Sequence, residues 1–281
     1  MIIDFHVHTF PEAIAERAVG GLQESAGVPP YTDGTVRALN GSLERAGIDR
    51  AVLLPVATNP KHCSRINDTA ASQNGMGRLL SFGAIHPDCP DWKQELACVQ
   101  ALGLRGVKLH PFFQNADFDD PRYLRILDRA GELGLVVVTH AGLDVGFPGQ
   151  VRCSPEMIQR AVRQVGPVKL VLAHMGGWKN WDRVEALLPE TSVYLDTAFS
   201  CGTIPTLPTG QYAGAPLPLL DEAAFLRMVR LFGADRILFG TDSPWSDQRQ
   251  SLAWMQALEL PEAQKAAILG GNAARLLGLQ T

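Results

Sequence analysis

His6 and His8 stand two residues apart at the end of the apolar run Met1-Ile2-Ile3-Asp4-Phe5. That run reads as a buried strand, and residues two apart on a strand face one side. Both imidazoles therefore point to one place, as two ligands of one metal would. Three later strand-like runs also end in ligand-type residues. Val136-Val137-Val138-Thr139 ends in His140, Leu170-Val171-Leu172-Ala173 in His174, and Ile237-Leu238-Phe239-Gly240-Thr241 in Asp242. Imidazole and carboxylate suit Zn2+ and its first-row neighbours. Three histidines and an aspartate leave room for a water, whose pKa a bound dication lowers to about 7. A single histidine at a strand end is more often a satisfied polar residue than a ligand. Of the 7 histidines, however, His6, His8, His86, His110, His140 and His174 all fall at strand ends. Random placement would scatter them, so the group reads as a metal centre. His62, on a helix, reads as solvated.

Other residues are placed by the same geometry. Lys108 and His110 share one face of a strand. His110 either lines the pocket as a donor to the substrate or bonds the loop that follows it. His86 reads as structural. Asp196 ends a strand, where it would orient a ligand histidine or satisfy backbone groups. Asp4 shares the face of His6 and His8 by spacing and reads as a buried support rather than a ligand. Phe10, Phe112, Phe113, Trp178, Phe199 and Trp245 lie just past strand ends and could wall an apolar pocket. Of these, Phe112, Trp178 and Trp245 join His110 as the expected substrate contacts. Arg105 begins a strand, at the wrong end for substrate, whereas Arg152 lies in a loop where it could meet an anionic one.

These side chains need elements to hold them. Strands are expected near 2–8, 51–57, 79–86, 105–110, 135–140, 168–174, 192–197 and 236–241. Helices are expected near 35–47, 61–75, 91–102, 121–133, 155–165, 180–188 and 221–232, with a last helical region from 248 to 278. Several strands are continuously apolar, as strands covered on both faces must be. Eight right-handed βα units close into a (β/α)8 TIM barrel, whose strand C-termini converge on one mouth. An open doubly wound sheet is disfavoured because no Gly-x-Gly-x-x-Gly follows the first strand. Two long connections, Thr9 to Asp33 and Phe199 to Leu220, fall on the mouth side and read as lids or substrate walls.

The 281 residues, 46% hydrophobic, suffice for one barrel domain over 1–281. A net charge of −4 without a basic stripe argues against nucleic acid. No apolar run of membrane-spanning length and no signal peptide is expected. The 5 cysteines lack CxxC spacing, which points to buried thiols and a cytoplasmic setting.

Six stretches resemble the amidohydrolase superfamily, in particular the amidohydrolase-2 branch that includes aminocarboxymuconate-semialdehyde decarboxylase. They are Ile3-Asp4-Phe5-His6-Val7-His8, Gly106-Val107-Lys108-Leu109-His110-Pro111, Thr139-His140-Ala141-Gly142, Leu172-Ala173-His174-Met175-Gly176-Gly177, Tyr194-Leu195-Asp196-Thr197 and Phe239-Gly240-Thr241-Asp242-Ser243-Pro244. Gly271-Asn272-Ala273-Ala274-Arg275-Leu276-Leu277 is similar to that family's last helix. The resemblance implies that His6, His8 and His140 bind metal, and that Asp242 binds the metal or its water and accepts the water's proton. It leaves His174 with two readings, a catalytic group beside one metal or a ligand of a second. Family members often carry a Glu or carboxylated Lys where Lys108 stands. Lys108 would then be a carbamylated bridge, a charged partner of an anionic substrate or neighbouring carboxylate, or a neutral amine.

The expectation is a metal-dependent hydrolase with one or two Zn2+, acting on a small carboxylic amide, lactone or ester. Asp242, His174 and Lys108 would be its catalytic groups. The alternatives are non-oxidative decarboxylation of a small unsaturated or aromatic acid, a barrel that binds metal or metabolite without catalysis, and a metal-independent lactonase. The expected partner is a small molecule, and the assembly to test for is a homodimer.

Overall fold

The computed structural model describes residues 1–279. Eight parallel strands form a closed barrel. They are β1 (Ile3–Val7), β2 (Arg50–Leu53), β3 (Leu79–Ser81, continuing as Gly83–Ala84), β4 (Gly106–Leu109), β5 (Val136–Thr139), β6 (Lys169–Leu172), β7 (Tyr194–Asp196) and β8 (Ile237–Leu238). Each pairs with its neighbour in chain order. At the break in β3, Phe82 still donates its N–H to Leu53 O at 2.9 Å. The ring closes where Phe5 N bonds Phe239 O (2.7 Å), Asp242 N bonds His6 O (2.8 Å) and His8 N bonds Ser243 O (2.7 Å).

Alternation along each strand sorts two apolar layers. Val107, Leu109, Val137, Leu170, Leu172, Leu195 and Ile237 face the surrounding helices. Phe5, Val52, Phe82, Val136, Val138, Val171 and Leu238 fill the barrel interior. The outer helices are α2 (Val36–Ala46), α3 (Cys63–Gln73), α4 (Trp92–Ala101), α5 (Pro121–Glu132), α6 (Pro155–Val162), α7 (Trp181–Leu187), α8 (Glu222–Phe232) and α9 (Gln248–Ala257). Several begin at side-chain caps, such as Thr35 on Ala38 N and Asp221 on Ala224 N. The final region is broken into α10 (Glu262–Ala266), a π turn and α11 (Asn272–Leu277). Ala273, Ala274, Leu276 and Leu277 of α11 pack on the interior layer. Among the described residues no helix is long and apolar enough to cross a membrane.

One expected loop is a helix. The connection after β1 holds α1 (Glu12–Ala26), which buries Ala15 and Val19 and ends at Gly27 in the left-handed conformation, φ 66°. Its buried positions are small and its body contains Gly20 and Gly21, which weaken the apolar signal. The connection after β7 is irregular, as expected from its glycines and prolines. Ile204 and Leu217 from it pack with Val28, Trp178 and Phe199, and Leu207 N bonds Gly27 O at 2.8 Å.

Candidate metal centre

A β-bulge in β1 aims the site. Asp4 pairs with Ala51 and Val7 with Leu53, so three steps along β1 oppose two along β2. Phe5 faces the interior, and the extra residue turns His6 and His8 inward as well. It also separates Asp4 from them. Spacing puts Asp4 on the histidine face, but its carboxylate instead accepts from Thr241 N (2.9 Å), Thr241 Oγ1 (2.6 Å) and Gln248 Nε2 (2.7 Å). Burial lifts this carboxyl to about 6, against those hydrogen bonds. Asp4 thus locks the seam between β1 and the turn after β8.

His6 Nε2 lies 3.1 Å from His8 Nε2 and 3.5 Å from Asp242 Oδ1, and His8 Nε2 lies 3.1 Å from Asp242 Oδ1. The outer nitrogens of both rings are anchored. His8 Nδ1 donates to Leu54 O (2.8 Å), and His6 Nδ1 meets Asp196 Oδ2 (2.8 Å). A neutral imidazole has one N–H, so with Nδ1 protonated both inner Nε2 atoms are acceptors. Beside them, His174 Nδ1 donates to Ala198 O (2.9 Å) and His140 Nε2 to Leu143 O (3.0 Å). That leaves His174 Nε2 and His140 Nδ1 facing each other as acceptors at 3.0 Å. Lys108 Nζ gives His6 Nε2 a donor at 3.1 Å. The His8–Asp242 and His140–His174 contacts remain acceptor against acceptor. Only a cation or an added proton satisfies them.

Added protons are disfavoured. Burial, with the charge of Lys108 and the neighbouring rings, holds His6 well below the usual imidazole range. Burial holds His140 and His174 at about 3. Burial raises the Asp242 carboxyl, but its neighbours His8, His174 and Lys108 outweigh that and keep it below its ordinary value. Neutral imidazoles and an ionised carboxylate are the metal-binding forms. Ligands about 2.1 Å from a divalent ion stand roughly 3 Å apart, the spacing of this set. The donor set therefore fits a divalent cation.

Asp196 ties the centre together. Its Oδ1 accepts from His174 N (3.0 Å) and Ala198 N (3.1 Å), while Oδ2 holds His6. Burial lifts its carboxyl to about 7, opposed by Lys108 and those N–H groups. His174 and Asp242 both adopt left-handed backbone, φ 60° and 64°. The contacts of Asp196 with His174 N, of Trp181 Nε1 with His174 O (3.0 Å), and of Asp242 N with His6 O hold those turns.

The cavity above is about 550 Å3, and His6, His8, Lys108, His110, His140, His174 and Asp242 form its floor. Trp178, Trp245, Phe10, Phe113 and Phe199 line it as their positions suggested. Phe112 does not line it. It is buried and packs edge-on against His140, ring centroids 5.2 Å apart. Arg152 is also elsewhere, paired with Asp117 (2.9 Å) and Asn115 (2.7 Å). His86 Nδ1 accepts from Asp88 N (3.1 Å), a turn contact. Asp144, not singled out from the sequence, lies 3.7 Å from His110 and 3.6 Å from His140. Burial lifts its carboxyl to about 6. Its placement four residues after His140 was the available signal.

A closed (β/α)8 barrel with histidines and an aspartate converging at the strand C-termini has the architecture of a TIM-barrel metalloenzyme. The family model described as Amidohydrolase matches residues 3–279, and the chain belongs to that family. It is 27% identical over 232 residues to 2-amino-3-carboxymuconate-6-semialdehyde decarboxylase of Dictyostelium discoideum, covering 72% of this chain. The match spans 62% of that relative's length. A TIM-barrel protein from Bordetella bronchiseptica superposes with TM-score 0.75 at 20% identity, covering 99% of this chain and 98% of the other. A dihydroxybenzoic acid decarboxylase from Polaromonas, solved with manganese and 2-nitroresorcinol, superposes with TM-score 0.66 at 16% identity, covering 99% and 96%.

Proposed function

We propose that this protein is a metal-dependent, non-oxidative decarboxylase of a small unsaturated or aromatic acid. The observation that carries the reading is the contrast within one cavity. Its floor gathers Lys108, uncharged imidazoles and acceptor atoms suited to a cation, and its walls are aromatic and aliphatic. Such a floor suits the oxygens of an acid, and such walls suit a flat carbon skeleton. The decarboxylases among its relatives support the choice over the hydrolysis expected from the motifs.

His6, His8 and Asp242 would hold the cation, with His140 and His174 at its side. When bound, a divalent ion supplies positive charge that orients the acid's oxygens and draws electron density from the carbon losing carboxylate. Lys108 is placed to donate to an anionic oxygen. The carbon–carboxylate bond breaks, carbon dioxide leaves, and its electron pair remains on the ring or alkene carbon. That carbon takes up one proton, which comes from solvent and is passed on by His174 and Asp242, so that the carboxylate and a proton become the C–H product and carbon dioxide. The apolar walls exclude the water that would compete at this step. Manganese and zinc are both candidates for the cation.

The test is a manganese- or zinc-loaded enzyme offered 2-amino-3-carboxymuconate semialdehyde, 2,6-dihydroxybenzoate and 5-carboxyvanillate, beside a panel of lactones and amides. Release of carbon dioxide from any acid supports the reading. Turnover confined to lactones or amides overturns it in favour of hydrolysis, in which Asp242 would take a proton from water.

A further inference from the structure

The cavity is larger than a one-ring acid requires. About 550 Å3 falls within the range that holds drug-sized ligands. The surplus space is bounded by two helices that contribute nothing to the metal centre. From α1 come Ile14, Ala18 and Leu22, spaced four residues apart and hence on one stripe. From α3 come Ile66, Thr69 and Gln73, also one stripe. Arg65, on the first turn of α3, lines the same cavity and is exposed, with no carboxylate within 4 Å among the described residues. The α1 stripe is apolar although part of it meets solvent, Ile14 being 38% exposed. The C-terminal end of α1 is held by the loops that roof the mouth, through Ser25 Oγ to Gly146 O (3.2 Å) and Leu207 N to Gly27 O (2.8 Å). The helix is therefore a fixed wall.

We propose that the acid taken by this enzyme carries an elongated apolar arm that lies along α1 and α3 and ends in an anionic group at Arg65. The inference rests on the acid-binding reading of the floor. Acids limited to one small ring would leave the α1 stripe wet, whereas an arm of several methylenes would cover Ile14, Ala18 and Leu22. The positive charge of Arg65, which makes no ion pair among the described residues, complements a terminal carboxylate.

The experiment is calorimetric binding to the manganese-loaded protein. The probes are 2,6-dihydroxybenzoate, the same ring with a hexyl chain at carbon 4, and the ring with a 5-carboxypentyl chain there. The hexyl acid should bind at least about tenfold tighter than the unsubstituted one, after the cost of ordering the chain. The carboxypentyl acid should bind severalfold tighter again, and Arg65→Ala should remove that last increment. Ala18→Trp should shrink the ratio between hexyl and unsubstituted acids. Should that variant fold poorly, the three-ligand comparison in the unaltered protein decides alone. Equal affinity for all three acids would overturn the inference. An arm-dependent affinity without carbon dioxide release would leave the cleft standing and sink the decarboxylase reading.

Discussion

Asp196 illustrates how much one side chain organises. It fixes the proton on His6 Nδ1 and holds the strained His174 backbone. Asp196→Asn should lower metal affinity by about 10–100-fold while the fold survives. Competition against a chelator reads this, and unchanged affinity would mean that His6 is oriented by packing alone. His174→Ala should keep its metal and lose roughly 10²–10⁴ in turnover, since proton handling is worth about that much. Loss of metal together with activity would make His174 a ligand instead. Cys63 offers a pH test away from the centre. Burial pushes its thiol from 9 to about 12. A group raised on folding stabilises the native state below its unfolded value and loses that contribution as pH rises. Stability should therefore fall between pH 9 and 12 in urea titrations. Iodoacetamide at pH 8 should label Cys63 only after unfolding. The identities of His6, His8, His140, His174 and Asp242 were legible because strand ends concentrate them. Asp144 was not, because it stands in a loop, where a spacing of four from His140 does not by itself imply a shared face.

Strands were easier to read than what lies between them. Continuous apolar runs such as Val136-Val137-Val138 declare a strand buried on both faces. The bulge in β1 declares nothing, since it changes no residue type, and so Asp4 was placed on the wrong face. The helix α1 was hidden for a related reason: its inner residues are small, and its cavity-facing stripe resembles the rest of a mixed loop. The loop after β5 carries its own prediction. A Cβ on Gly142 would sit 2.2 Å from Trp178 N and 2.5 Å from Trp178 O, and its φ of 86° disfavours any other residue. Gly142→Ala should push the two loops apart, lowering the melting temperature and weakening acid binding together. Thr35→Ala, which removes the cap on α2, should cost about 1 kcal/mol of stability without touching the site.

At the scale of the whole molecule, the barrel and its site are one cooperative object. The metal set draws on β1 and the turn after β8, so any ion bound there bridges the closing seam. Manganese or zinc at 100 times its dissociation constant should add about 2.7 kcal/mol to stability. A chelator should reverse the resulting rise in melting temperature, and a melting curve indifferent to metal would count against the centre. That seam has a further consequence for the order of events during synthesis. His6 and His8 leave the ribosome more than two hundred residues before Asp242. Until Asp242 and Ser243 emerge, β1 has only one neighbouring strand and the histidine pair lacks its carboxylate. A nascent chain therefore carries half a chelate with an open edge, and metal loading belongs to the finished barrel.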